Sequence, residues 1–132
     1  MKKIRVKTSS RVELIDISAE VQKAVSELAI EEGVCVVYCP HTTAGLVLNE
    51  HADPDVAEDI IAALGEQYPR RRNWRHAEGN ADAHVKAALL GSSVSVPVSG
   101  RRLMLGAWQG IFFCECDGPR SREVYLQAMG AE

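Results

Sequence analysis

This chain of 132 residues has few aromatic residues, no long hydrophobic run and no strong excess of either charge. No apolar stretch approaches the roughly 18–20 residues that cross a bilayer as a helix. The basic opening Met1-Lys2-Lys3-Ile4-Arg5-Val6-Lys7 is not followed by the apolar run of about 7–15 residues that a secretory signal carries. No membrane partner is therefore expected, and the expected location is the cytoplasm. Aromatics make up 5% of the chain and the net charge is −3, which gives nucleic acid no broad basic surface to bind. The run Arg70-Arg71-Arg72-Asn73-Trp74 joins charge to a ring, yet three arginines in an acidic chain read as a solvated face, so no nucleic-acid partner is expected either. Cysteine is scarce, with four in all. Cys35 and Cys39 lie about 13 Å apart on an extended chain rising about 3.3 Å per residue, too far to bond each other. Cys114 and Cys116 alternate onto one face, and neither spacing matches a zinc knuckle. The four read as reduced, half-buried thiols.

What is present is an ordinary globular composition, 46% hydrophobic and 25% charged. Ile4–Thr8 and Val12–Ile17 alternate as two strands. Ser18 is the expected cap of a helix with Val21, Ala24, Val25 and Leu28 inward, ended by Gly33. Val34–Cys39 and Leu46–Leu48 follow as strands. Asp53-Pro54 opens a helix with Val56, Ile60, Ile61 and Leu64 as its buried face and Gly65 as its end. Glu66–Gly79 has no periodicity and reads as a long loop. Asn80 caps a third helix, with Ala81, Val85, Ala88 and Leu89 inward and Gly91 as its end. Val94–Val98, Leu103–Leu105, Ile111–Cys116 and Glu123–Gln127 complete the strands. The expectation is one α+β domain over residues 1–132, in the order β2-α-β2-α2-β4, with an antiparallel or mixed sheet and helices packed on one face.

Three segments carry the polar chemistry. In the first, Pro40-His41-Thr42-Thr43-Ala44-Gly45 ends a central strand and Asn49-Glu50-His51 follows. This sets an imidazole that can carry a proton near pH 7 beside hydroxyls and free N–H groups that can hold an oxyanion. In the second, His76-Ala77-Glu78-Gly79-Asn80 leads into a helix bearing His84, and a helix N-terminus favours anions such as phosphate. His41, His76 and His84 together would suit a divalent cation, Mg or Zn, although the spacing is not that of a known zinc helix. The third holds Trp108 and Gln109, then Asp117-Gly118-Pro119-Arg120-Ser121-Arg122. Its arginines are guanidinium forks suited to phosphate, and its tryptophan is able to stack on a heterocycle or to fill a core.

Taken together, His-Thr-Thr-Ala-Gly with Asn49-Glu50 and Asp53-Pro54, His-x-Glu-Gly-Asn-x-x-x-His, Trp-Gln-Gly-Ile-Phe and Asp-Gly-Pro-Arg-x-Arg resemble the YjbQ family, also called the secondary thiamine-phosphate synthase family. The resemblance covers almost the whole chain. Ala107 and Cys116 depart from it, standing where a hydroxyl residue and an aromatic are commonly found. It implies a compact α+β domain assembling as a homotrimer with a polar pocket near the subunit boundary. It also implies a secondary, weak thiamine-phosphate synthase activity, joining a pyrimidine diphosphate to a thiazole phosphate with release of pyrophosphate. Under that reading the substrate is a phosphorylated small molecule, and His41 or His84 is the proton carrier, with Asp117 orienting it or an arginine. Thr42, Thr43, Asn49, Glu50, Gly79, Asn80, Trp108, Gln109, Arg120 and Arg122 would bind substrate and phosphate. Two other readings use the same groups: a metal-dependent hydrolase, in which His41, His76 and His84 hold a water-activating ion, and a non-catalytic binding protein for a phosphorylated metabolite.

Overall fold

Alternation of apolar and polar residues builds eight strands, and all of their pairings are antiparallel among the described residues, 1–131 of a computed structural model. Their order with the helices is β1 (Lys2–Lys7), β2 (Glu13–Asp16), α1 (Ser18–Leu28), β3 (Glu32–Tyr38), β4 (Ala44–Glu50), α2 (Pro54–Gln67), α3 (Ala81–Leu90), β5 (Ser93–Ser99), β6 (Arg102–Leu103), β7 (Gln109–Glu115) and β8 (Ser121–Gly130). The expected order and the α+β class are borne out. The strands divide into a five-stranded sheet, β1-β8-β3-β5-β6, and a three-stranded sheet, β2-β7-β4.

The two sheets close on one apolar core. Val6, Cys35, Val37, Val96, Val98, Val124 and Leu126 enter it from the larger sheet, and Leu46, Ile111 and Phe113 from the smaller. The side of α1 carrying Val21, Ala24 and Val25 completes it. On the other face of the small sheet, Cys114 and Cys116 meet Ala83 of α3 in a second, smaller cluster. The small sheet is thus sandwiched between the core and α3. The two cysteines share a face as expected, and all four are free and buried.

Several local expectations are corrected. Ser18 is the first residue of α1 and not its cap: its backbone N–H and hydroxyl both donate to Asp16 Oδ1, and its Oγ accepts from the Ile111 N–H. The helix stops at Ala29, which takes the left-handed conformation at φ 55°. Gly33 lies within β3, where a Cβ would stand 2.0 Å from the Met129 carbonyl oxygen. Glycine is needed there for the close approach of β8. In α2, Asp53 caps as expected, accepting from the Asp55 N–H at 2.9 Å. The helix runs through Gly65 to Gln67, and its apolar face of Val56, Ile60, Ile61 and Leu64 is only half-buried.

Helix α3 departs most from the expected register. Ala88 and Leu89, expected inward, are exposed, while Ala81, Asp82, Ala83, Lys86 and Ala87 are buried. Hydrophobicity could not reveal this, because the inward face carries an ion pair: Lys86 Nζ donates to Asp82 Oδ2 at 3.0 Å. Asn80 occupies the cap position without capping, its side chain donating instead to Asp117.

Two glycine substitutions test this packing. A Cβ at Gly45 would stand 2.8 Å from the Gly91 carbonyl oxygen and 2.9 Å from Leu90 Cβ, whereas one at Gly65 meets nothing within 4 Å. In urea denaturation, Gly45→Ala should destabilise by about 1–3 kcal/mol through overpacking. Gly65→Ala, in a helix interior, should stabilise by about 0.5–1 kcal/mol.

Candidate functional site

The site begins where β3 fails to continue. Tyr38 pairs with Tyr125 of β8, and the next partner of β8 would be residue 40, opposite Glu123. Residue 40 is a proline, which has no N–H to give to the ladder. The chain turns away and the ring of His41 fills the gap, its Nε2 3.0 Å from the Glu123 carbonyl oxygen and 3.1 Å from its N–H. This one ring nitrogen meets the open backbone edge of β8, accepting from the Glu123 N–H in one tautomer or donating to the Glu123 carbonyl in the other. The ring stands edge-on to Phe113, with centroids 6.5 Å apart. Burial and the neighbouring Arg122 guanidinium both push the His41 pKa below the ordinary histidine value, so the ring is neutral at physiological pH.

The turn after His41 opens a cleft of about 350 Å³ against α3. His41, Thr42 and Ala44 form one wall, His84, Ala87 and Ala88 the other, and Gly91 and Ser92 the floor. The small residues on α3 and at the floor leave room for a flat ring. Ser92 was not singled out from the sequence, where nothing distinguishes it from the adjoining Ser93. His76 joins the cleft indirectly, its ring edge-on to His84 with centroids 5.3 Å apart and its Nε2 3.7 Å from Glu78. The three expected histidines therefore follow one another in space, His41 and His84 lining the cleft and His76 behind His84. They do not offer three free nitrogens to one point, because His41 Nε2 is committed to β8. Among the described residues no three His, Cys, Asp or Glu side chains are placed to share a metal ion. The set as it stands does not fit Mg or Zn.

The arginines are differently placed from what a phosphate fork requires. Arg122 is buried, with Nε donating to Glu115 Oε2 at 2.8 Å and Nη2 to Glu115 Oε1 at 2.5 Å and to Thr43 Oγ1 at 2.8 Å. Glu115 also accepts from the Thr8 hydroxyl and the Asp117 N–H. Burial pushes the Glu115 carboxyl up, but Arg122 and these donors outweigh it and hold it below the usual range. Arg122 and Thr43 are thus structural groups, not free phosphate ligands. Arg120 is half-exposed and leans on Asp117, donating from Nε to its carbonyl and from Nη2 to Oδ2 at 3.0 Å. Asp117 accepts in addition from Asn80 at 2.9 Å and stands 3.7 Å from Arg11. Arg11 makes a bidentate pair with the buried Asp82 at 3.0 and 3.1 Å. Arg11 escaped the sequence reading; the four-residue spacing of Asp82 and Lys86 was the signal for its partners.

The remaining expected residues lie elsewhere. Asn49, Glu50, Trp108 and Gln109 sit at the far end of the β4–β7 ladder, where Glu50 pairs with Gln109, while Ala44 pairs with Glu115 at the near end. Six steps of strand put the two ends about 20 Å apart. Asn49 Oδ1 accepts from the Glu50 N–H, Gln109 Oε1 accepts from the Gly106 N–H, and Trp108 is 65% exposed, so it fills no core. A second acid–base pair, also unread in the sequence, is at this end: His51 Nδ1 lies 2.9 Å from Asp16 Oδ2.

Comparison with known proteins matches residues 2–131 to the family model described as UPF0047 protein YjbQ-like. The UPF0047 protein YugU of Bacillus subtilis is 48% identical over 98% of this chain and 99% of that protein. A UPF0047 protein of Methanocaldococcus jannaschii is 47% identical over 97% of this chain and 93% of its own. Among solved structures, an uncharacterised YjbQ/UPF0047 protein of Clostridium acetobutylicum superposes with a TM-score of 0.96 at 46% identity, covering 98% of this chain and all of that one. A YbjQ-like protein of unknown function from Sulfolobus solfataricus gives 0.95 at 36%, covering 98% and 96%.

The two arginines should separate cleanly in denaturant. Arg122→Met leaves Glu115 buried and charged and should cost about 3–5 kcal/mol; Arg120→Met, breaking a half-exposed pair, should cost about 0–1 kcal/mol. Asp82, Glu115 and Asp117 all have folded pKa values held below their unfolded ones, burial being outweighed in each by its partners. Their contribution is therefore complete above the carboxylate range and should be lost as pH falls below about 4. A melting temperature independent of pH between 5 and 2.5 would contradict this.

Proposed function

The chain belongs to the YjbQ family, and we propose from that premise that it is a phosphate-handling transferase working in the His41–His84 cleft. The reaction is the secondary, weak thiamine-phosphate synthase reaction. The thiazole nitrogen attacks the pyrimidine methylene carbon, the bond from that carbon to the diphosphate oxygen breaks, and pyrophosphate leaves. The relatives' names assign them no activity, and the support for this reading is the resemblance together with the cleft. The observation that carries it is a concavity with two imidazoles on facing walls, one of them neutral and fixed, above a floor of small residues.

In such a reaction most of the acceleration comes from holding the two rings in line and from stabilising charge on the departing diphosphate. The cleft supplies the first. To the second we assign the N–H groups at the entry to α3, one turn before His84, and the half-exposed Arg120, which would leave Asp117 to meet a phosphate. His84, not committed to the backbone as His41 is, is the proton carrier. His41 positions it and shapes the wall.

The same reading makes the working unit a homotrimer. Asn49, Glu50, Trp108 and Gln109 reach a His41–His84 cleft only if a neighbouring copy supplies them, and the half-buried apolar face of α2 and the exposed Leu89 of α3 would be covered in such an assembly. Light scattering at micromolar concentration should return three times the chain mass; a monomer mass would overturn the assembly.

Incubation of the pyrimidine diphosphate with the thiazole phosphate should yield thiamine phosphate and pyrophosphate, with a rate that falls on the acid side as His41, whose pKa burial and Arg122 hold below the ordinary histidine value, becomes protonated. His84→Ala should lose activity and keep its stability. His41→Ala should lose both, by about 1–3 kcal/mol in stability, because the Glu123 backbone loses the one partner that Nε2 supplies. Tight binding of both substrates with no product would make the protein a binding module instead.

A further inference from the structure

The mechanism makes no use of the two thiols beneath α3. Cys114 and Cys116 point from alternate positions of one strand run to the same face, with Sγ atoms 3.8 Å apart and no exposure to solvent. Leu14, Ala83 and Leu90 wall them in. The charged groups facing this pocket come from three directions. Arg11 reaches in after β1, Asp82 and Lys86 descend from α3, and Glu115 and Asp117 flank the cysteines in sequence. Glu115 is neutralised by Arg122 and Asp117 by Arg120. Asp82 must answer both Arg11 and Lys86, each at 3.0 Å, and Lys86 and Asp82 are 3% and 0% exposed. Arg11 also stands 3.7 Å from Asp117, so it is shared between two carboxylates while Lys86 keeps Asp82, and the cations that face the sulfurs are each matched by a carboxylate.

We propose that Cys114 and Cys116 form a two-sulfur site for a soft monovalent metal cation of the Cu(I) or Ag(I) class. Two metal–thiolate bonds of about 2.3 Å span about 3.8–4.6 Å, according to the angle between them. The sulfurs are at the lower end of that span and need to part by less than an ångström. Thiolate sulfur selects soft ions, while Mg and other hard ions require oxygen donors. A tetrahedral Zn site would need two more ligands, and among the described residues no third His, Cys, Asp or Glu joins the pair. The buried Lys86 ammonium faces both sulfurs and favours the thiolate forms that would hold such an ion. On binding, two S–H bonds break, two sulfur–metal bonds form and two protons leave to solvent, with no change of oxidation state. This site lies on the opposite face of the small sheet from the core and does not depend on the activity proposed for the cleft.

The test is an anaerobic titration of the whole protein with Cu(I) against the chelator bathocuproine disulfonate. One Cu(I) per chain is expected. Cys114→Ser and Cys116→Ser should each weaken binding by more than the about 10–100-fold that changes outside the ligand shell cost, and Lys86→Met, which removes the ammonium facing the sulfurs, should fall within that range. Cys39→Ala should bind as the parent does. X-ray absorption of the loaded parent protein, which needs no variant to fold, should show sulfur neighbours and no imidazole. Absence of stoichiometric binding, binding that survives Cys116→Ser, dependence on Cys39, or an imidazole in the ligand shell would each overturn the proposal.

Discussion

The buried pair of Arg122 and Glu115 holds the two sheets in register, and the site depends on that register. Arg122 belongs to β8 of the large sheet and Glu115 to β7 of the small one, and the guanidinium also reaches Thr43 in the turn between β3 and β4. Thr8, just after β1, donates to the same carboxylate. Residues after β1, between β3 and β4, on β7 and on β8 are thus tied at one point. Removing two charges from water costs several kcal/mol per ion, which good geometry only offsets. What the pair contributes is directional. Apolar faces could slide by a residue at small cost, whereas a bidentate pair with a third hydrogen bond fits a single register.

That register places the cleft. With β8 fixed, the strand edge left open beyond Tyr38 is met by His41, and the turn carrying His41 and Thr42 faces α3. Helix α3 is in turn held by Asp82 and Asn80, which are bonded to Arg11 and Asp117 rather than packed as apolar ridges. The charged groups that a reading for phosphate chemistry would assign to substrate are largely consumed in building the walls. What remains free in the cleft is neutral or weakly basic: His84, Thr42, Ser92 and the small residues between them.

The sequence made the strand and helix order legible because period-two and period-3.6 patterns survive wherever a face is apolar. It misled in three kinds of place. Gly33 looked like a helix end, but the close approach of β8 that requires it is a tertiary fact. Helix α3 was turned the wrong way, since buried Asp82 and Lys86 cannot be told from a solvated pair without knowing that Arg11 lies opposite. Arg122 looked like a phosphate ligand because an arginine's partner is not written next to it; Glu115, seven residues earlier, is. His41, His76 and His84 were recognisable by type and did come together, whereas Asn49, Glu50, Trp108 and Gln109 were recognisable by motif and lie at the other end of the sheet. Motif residues that recur together in sequence need not meet within one chain.

The central claim is that His41 completes the edge of β8 and stands neutral on the wall of a working cleft. Nitrogen-15 NMR of the imidazoles across a pH titration tests it directly. The account predicts one fixed tautomer for His41, with a midpoint below the ordinary histidine value because of burial and Arg122. A His41 that titrates at the ordinary value of about 6.5, with its two tautomers averaging, would show a ring free of β8 and would contradict the account.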